Sequence, residues 1–269
     1  MNKGNYGYPQ APNRALRVAP QEWRNYKLIT ATTSVEVVPQ NVYQVLCLVF
    51  GGGATAPNPI VSGGGGGFAA GILDVLPGQT LPIITVGAIG GTSSLGTLIS
   101  ATGASGITPG TGAVSATLRG GFTASGGSGF STGAPNGAAS GSYLGNGGNA
   151  GTADRGGCAW GGVTPGISTT GGTTAISVPY NDDDGWLAIA NRRALPGKGA
   201  TSATEFPGFG CGAFSQDNNT MVFPSPVGGG GGYGATVGGR GGYGGGGGGG
   251  IAVGTGGTGI VILYWTEGY

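Results

Sequence analysis

The 269-residue chain has no histidine. That absence excludes Ser-His-Asp and Cys-His nucleophilic systems and nearly all zinc chemistry built on imidazole. Charge is scarce as well: 11 Lys and Arg against 10 Asp and Glu, 8% of residues, for a net charge of +1. Such a surface offers no bulk electrostatic attraction to nucleic acid or to anionic membranes. The three cysteines, Cys47, Cys158 and Cys211, have neither the spacing of a small disulfide framework nor that of a zinc site. Cys47, inside QVLCLVF, reads as a buried small hydrophobe; a Cys158–Cys211 bridge is left open. Long apolar runs are missing too. The densest block, VYQVLCLVF (42–50), is too short to span a bilayer. The start, MNKGNYGYPQAPNR, lacks the apolar centre of a signal peptide. The expectation is a protein made in the cytoplasm, without membrane insertion, that acts outside a cell only after lysis or as part of a particle. No helical periodicity persists beyond two turns, so very little helix is expected.

What is abundant is glycine, with 67 residues beside 16 prolines. Disordered chains combine low apolar content with high charge; here 38% of residues are apolar and sit in strand-sized blocks. Residues 1–26 carry Pro9, Pro12 and Pro20 among Arg14, Arg17 and Arg24 and lack strand periodicity. They read as an extended arm, with Trp23 and Tyr26 as aromatic anchors. Such an arm either docks on a neighbour or packs on its own domain. From residue 27 to 269 the chain reads as one glycine-rich β domain. Strands are expected near 27–31, 34–38, 42–50, 68–76, 80–86 and 94–101, with a turn at Pro77-Gly78-Gln79. A glycine-, serine- and threonine-rich insert spans about 103–227, with a hairpin over 174–192 turning at Asn181–Gly185. The chain closes on the strand GIVILYW.

The glycine runs pose the main physical question. Each glycine costs roughly 0.5–1 kcal/mol more than alanine to order, yet seven in a row, Gly244–Gly250, lead toward one of the most apolar strands. A glycine run can adopt the polyproline II helix, three residues per turn, whose N–H and C=O groups point outward. Without Cβ atoms such rods approach closely, and backbone can satisfy backbone. The runs 63–67, 228–232 and 244–250 are therefore expected to be packed interior rods held by the flanking strands.

The order of these elements resembles a family. Gly63–Phe68, Pro77–Thr80, Val86–Gly87, Ser94–Gly96 and Gly256–Ile262 follow the pattern of the glycine-rich domain of bacteriophage tail fibre and other virion appendage proteins. The resemblance covers about 35–101 and 228–265. In composition the chain also resembles the polyglycine-sandwich adhesins that cap some long tail fibres, without their attachment region and with its glycines in a few long runs. The resemblance implies an all-β, jelly-roll-like sandwich with packed polyproline II segments. It implies a place in a virion, at or near host contact, and a threefold homo-oligomer.

Catalytic signals are absent, and no enzyme, cofactor or metal site is expected. GxGxxG matches arise by chance at this glycine content, and no helix follows them. GKGATS (197–202) lacks the Ser or Thr after lysine that a phosphate-binding loop needs. Asp182, Asp183 and Asp184 read as a solvated hairpin turn, without the alternating ligands of a calcium loop. One arginine in GGRGGYGGG (238–246) does not make an RNA-binding segment. Candidate host-contact residues are aromatics in turn-rich sequence, Tyr143, Trp160, Phe206, Phe209, Tyr233 and Tyr243, for each of which burial over rod ends or in the sandwich is the alternative. Candidate virion-attachment residues are Arg14, Arg17, Trp23 and Tyr26. The function expected is a tail fibre or tail-tip receptor-binding module contacting a host glycan or outer-membrane protein. The alternative is a structural virion component, such as a head fibre, decoration protein or fibre connector, docking on virion proteins through its arm.

Overall fold

QVLCLVF is apolar at nearly every position, as expected of a strand covered on both faces, and it forms the centre of the molecule. The computed structural model describes residues 23–131, 133, 136–143, 145–150, 190, 228–234 and 236–267. β1 (Asn25–Ile29), β2 (Gln44–Phe50), β3 (Phe68–Asp74), β8 (Arg119–Ala124) and β9 (Ile260–Trp265) make one antiparallel sheet in the order β1-β9-β2-β3-β8. β4 (Ile84–Thr85), β5 (Ser93–Leu95), β6 (Ile99–Ala101) and β7 (Gly112–Val114) make a second, a meander in chain order. The expected all-β sandwich is what the chain forms. β9 lies between β1 and β2, so the first sheet closes only with the last strand.

Alternation along the strands sorts their side chains into two layers. Val45, Cys47 and Val49 of β2, with Val261 and Leu263 of β9, face Ile84, Leu95, Ile99 and Ala101 of the second sheet. Leu46, Leu48 and Phe50, with Ile260, Ile262 and Tyr264, face the other way and pack with Phe68, Trp23, Ala124 and Ala139. Burial of Cys47 pushes its thiol pKa far up and leaves it a free, protonated side chain. Burial likewise raises Tyr264.

The structure revises several sequence expectations. β1 begins at Asn25, and Trp23 is already 5% exposed within the core, so the domain starts inside the expected arm. The expected strand 34–38 pairs through one isolated bridge, Val37 with Thr80, and of the expected strand 80–86 only Ile84–Thr85 forms one, β4, where Ile84 also bridges Thr33. The strand expected over 94–101 is a hairpin, β5–β6, because Gly96 takes φ 51° and reverses the chain. β7 and β8 fall inside the expected insert and form an edge of each sheet. Ala190 has helical backbone and is buried against the β2–β9 face, so the arm of the expected 174–192 hairpin does not run through it. The rest of that hairpin lies outside the described residues.

Four strand ends fall on one line. Phe50 pairs with Phe68 and with Ile260, and Phe68 pairs with Ala124. Beyond each of them the chain enters glycine-rich sequence. At the opposite edge Asn25 pairs with Trp265 and Gln44 with Asp74. The domain is thus two-ended: glycine-rich segments project from one end, and Arg24, whose N–H donates to the Trp265 carbonyl, enters β1 at the other.

Candidate functional site

The glycine run 63–67 shows how the projecting half is built. Its N–H groups donate in turn to Gly247, Gly106, Gly127, Gly244 and Thr102. Its carbonyls accept in turn from Ala138, Ala54, Gly110, Gly141 and Gly51. Every backbone polar group of the run is paired, and partners three residues apart belong to the same neighbouring segment. The pass 51–56 repeats the rule: Gly51 and Ala54 donate to Gly67 and Gly64, and Gly53 and Ala56 to Gly257 and Gly254. Three is the residue period of the polyproline II helix. Passes 136–141, 228–234, 238–242, 244–250 and 254–259 join the same hydrogen-bonded lattice.

Glycine is required there by space. A Cβ on Gly63, Gly65, Gly230, Gly245 or Gly257 would overlap the carbonyl oxygen of Ala54, Ala139, Gly137, Gly229 or Gly242 respectively. These obstacles are backbone, which no rotamer change relieves. In the run 63–67 the lattice therefore answers the cost of ordering glycine by pairing every backbone polar group, with backbone rather than side chain packed against it.

Turns at the two ends of the lattice differ in chemistry. Those next to the sheets carry tyrosines. Tyr143, in the turn where Ser142 and Gly145 exchange backbone hydrogen bonds, packs 5.2 Å from Phe68 and 5.8 Å from Phe122 between ring centroids. Tyr243, in the turn closed by Gly245 N–H donating to the Gly242 carbonyl, packs against the same apolar layer. Turns at the far end carry branched aliphatics in water: Ile60, Val237 and Ile251, the last 79% exposed. Gly250 N–H donates to the Pro59 carbonyl, and Ala252 N–H to that of Thr236, so these three turns meet. Ile107 is exposed on the turn whose Gly106 carbonyl accepts from Gly64.

The expected site residues divide accordingly. Tyr143 and Tyr243 are half-buried and serve the seam between lattice and sheet. Tyr233 is half-buried within the pass 228–234, its N–H donating to the Asn136 side chain. Trp23 and Tyr26, expected as attachment anchors, are turned to this chain's own core, with Tyr26 6.2 Å from Tyr264 between centroids. Trp160, Phe206, Phe209, Arg14 and Arg17 lie outside the described residues, as do Cys158, Cys211 and Asp182–Asp184. Sequence reasoning did not single out Ile60, Ile107, Val237 and Ile251. Their signal was present: one or two branched aliphatics set among small and turn-forming residues in each of NPIVS, SGITPG, GATVGG and GGIAVG.

Among the described residues no group of three or more His, Cys, Asp or Glu could hold a metal ion, and no helix is long and apolar enough to cross a membrane. Against this architecture, no family model matches the chain and no curated protein matches it.

Proposed function

We propose that this chain is a bacteriophage virion appendage protein, a tail fibre or tail-tip module that binds the host surface through its glycine lattice. One observation carries the reading. The lattice, with its uncharged turns and exposed aliphatics, projects from the edge of the sandwich opposite the one where Asn25 pairs with Trp265. A module held by residues 1–22 would present the lattice outward. The partners are other virion proteins at the arm, and a glycan or outer-membrane protein at the lattice. The resemblance to tail-fibre glycine-rich domains adds a homotrimer, for which light scattering at micromolar concentration should give three chain masses and a monomer would count against it. The protein acts without enzymatic chemistry.

The second reading, a structural virion component, draws on Val35, Val37, Tyr43, Leu76 and Ile83, exposed aliphatic and aromatic side chains on the sandwich itself. That surface suits a permanent neighbour. The test uses labelled protein, with and without residues 1–22, on a panel of bacterial cells. Truncation must stop before Trp23, which belongs to the core. Saturable binding kept by the truncated form supports the host-contact reading. Absence of binding to a host that the parent particle infects, with virion binding dependent on residues 1–22, supports the structural one.

A further inference from the structure

Where the lattice meets water, its three-residue period becomes a display. Along 237–243, Val237 and Arg240 are exposed and Tyr243 half-exposed, while Gly238, Gly239, Gly241 and Gly242 are buried. Along 252–258, Ala252 and Thr255 are exposed and Val253 and Thr258 half-exposed, while Gly254, Gly256 and Gly257 are buried. The two passes are parallel neighbours: Gly238, Gly241 and Gly244 N–H donate to the carbonyls of Ala252, Thr255 and Thr258, at 2.7, 2.9 and 2.9 Å. Two columns of side chains therefore stand side by side on a floor of buried glycine. On the far side of the second column Gly256 N–H donates to the Thr55 hydroxyl.

Arg240 is the exception on this face. In the lattice passes 51–67, 125–150 and 228–259 it is the only charged residue. It is exposed, and among the described residues no carboxylate pairs with it; the two ion pairs, Lys27 with Glu36 and Arg119 with Asp74, belong to the sandwich. Among the described residues no hydrogen bond or ion pair uses this guanidinium.

We infer that Arg240 and the two columns around it bind a carboxylate-bearing saccharide. The inference rests on the host-contact reading above and names its ligand class. A planar guanidinium pairs a carboxylate through two parallel hydrogen bonds. One cation matches one carboxylate, whereas a phosphomonoester, near −1.5 to −2 in charge, would be left half neutralised. The neighbours fit a sugar. The Thr255 and Thr258 hydroxyls can donate and accept, and the half-exposed Tyr243 ring has the electron-rich π face that C–H groups of a pyranose pack against. At the polyproline II rise of about 3.1 Å per residue, Tyr243 lies about 9 Å along the column from Arg240.

The test is calorimetric titration of the full chain with oligosaccharides containing glucuronate, galacturonate or sialate. The controls are the carboxyl-reduced forms, a neutral dextran fragment and a phosphomannan fragment. Arg240→Gln and Arg240→Lys are measured in parallel. At least one acidic saccharide should bind saturably at millimolar concentration or below, and its carboxyl-reduced form should not. Arg240→Gln should weaken binding about tenfold or more, and Arg240→Lys less, since lysine keeps the charge but loses the fork. Both variants should melt with the parent, because the side chain is exposed and has no ion-pair partner among the described residues. Binding by none of the acidic saccharides, binding indifferent to Arg240→Gln, or equal binding of neutral or phosphorylated fragments would overturn the inference. Cell binding separates the two levels. Binding to cells that survives Arg240→Gln removes this ligand but leaves host contact standing. Arg240-dependent saccharide binding by a protein that attaches to no cell does the reverse.

Discussion

Phe50 and Phe68 stand opposite each other at the last register position of the β2–β3 pair, with ring centroids 4.8 Å apart. The residue after the first, Gly51, and the residue before the second, Gly67, are hydrogen-bonded to each other and are the first glycines of the lattice. The two rings thus mark the boundary between two ways of filling space. On one side side chains interdigitate; on the other backbones touch with nothing between. Tyr143 and Phe122 complete the aromatic seam around Phe68. The apolar strands fix the rod ends, and the rods in turn hold β2, β3, β8 and β9 in register.

Gly65 tests the lattice at its centre. A Cβ there overlaps the Ala139 carbonyl and lies 2.9 Å from the Ser140 nitrogen. Gly65→Ala should cost about 3 kcal/mol or more, at or beyond the upper end of overpacking effects, because the obstacles are backbone. Thr255→Ala, on the outward face, should stay within about 0.5 kcal/mol. Urea denaturation of both variants beside the parent measures the contrast. Equal, small effects would mean that the rods are not close-packed.

The arm and the core can be separated at Trp23. Removing residues 1–22 should leave the thermal midpoint within a degree or two of the parent, since β1 starts at Asn25. Trp23→Ala should cost about 3–5 kcal/mol, as for other large buried aromatics. Differential scanning calorimetry reads both. A truncation as damaging as Trp23→Ala would place part of the core within the first 22 residues.

Legibility in the sequence followed the chemistry of each segment. QVLCLVF and GIVILYW are long, apolar and β-branched, and their strands appear within two residues of where the pattern puts them. β7 and β8 were hidden because GAV and RGGFTA are short and carry glycine; pairing to already placed neighbours, not intrinsic preference, makes them strands. The single strand read over 94–101 hid the left-handed Gly96. The packing of glycine against glycine was legible from run length and the missing Cβ. Which runs are neighbours was not, because a glycine rod carries no side-chain signature to specify its partner. The outward columns were hidden for the same reason: Arg240 and Thr255 reveal their common face only once Gly241 is seen bonded to the Thr255 carbonyl.

The turn at Leu76–Gln79 carries the next prediction. Gln79 N–H donates to the Leu76 carbonyl at 3.0 Å, and Gly78 holds φ 75°, the third position of a type II turn with Pro77 before it. A Cβ on Gly78 would meet only the Gln40 amide nitrogen, at 3.3 Å. The cost of Gly78→Ala is therefore conformational, about 1 kcal/mol. Asn41, at φ 62°, also sits in the left-handed region, and Asn41→Gly should be neutral or stabilising by a few tenths of a kcal/mol. Opposite signs for these two substitutions in chemical denaturation would support the turn geometry. A stabilising Gly78→Ala would contradict it.

Cys47 links the core to pH. Its thiol pKa is raised by burial, so the folded chain holds the proton that the unfolded chain releases above the ordinary thiol value near 9.0. For a group raised on folding, the stabilising contribution is complete below the unfolded pKa and declines as pH rises above it. Tyr264, also raised by burial, adds the same sign above its ordinary value of 10.0. The unfolding free energy should therefore be flat from about pH 7 to 8.5 as far as these groups are concerned. It should then fall, by roughly 1.4 kcal/mol per pH unit for each ionised group. Cys47→Ala should be less stable at pH 7, by about 1 kcal/mol for the lost sulfur, yet show a shallower decline between about pH 9 and 10. Native Cys47 should also resist iodoacetamide until the chain unfolds, because the thiolate is the nucleophile. Denaturation curves across this range, with mass spectrometry of the alkylated protein, decide it. An unchanged slope in Cys47→Ala, or rapid alkylation of the native thiol, would place Cys47 outside the sealed layer between the sheets.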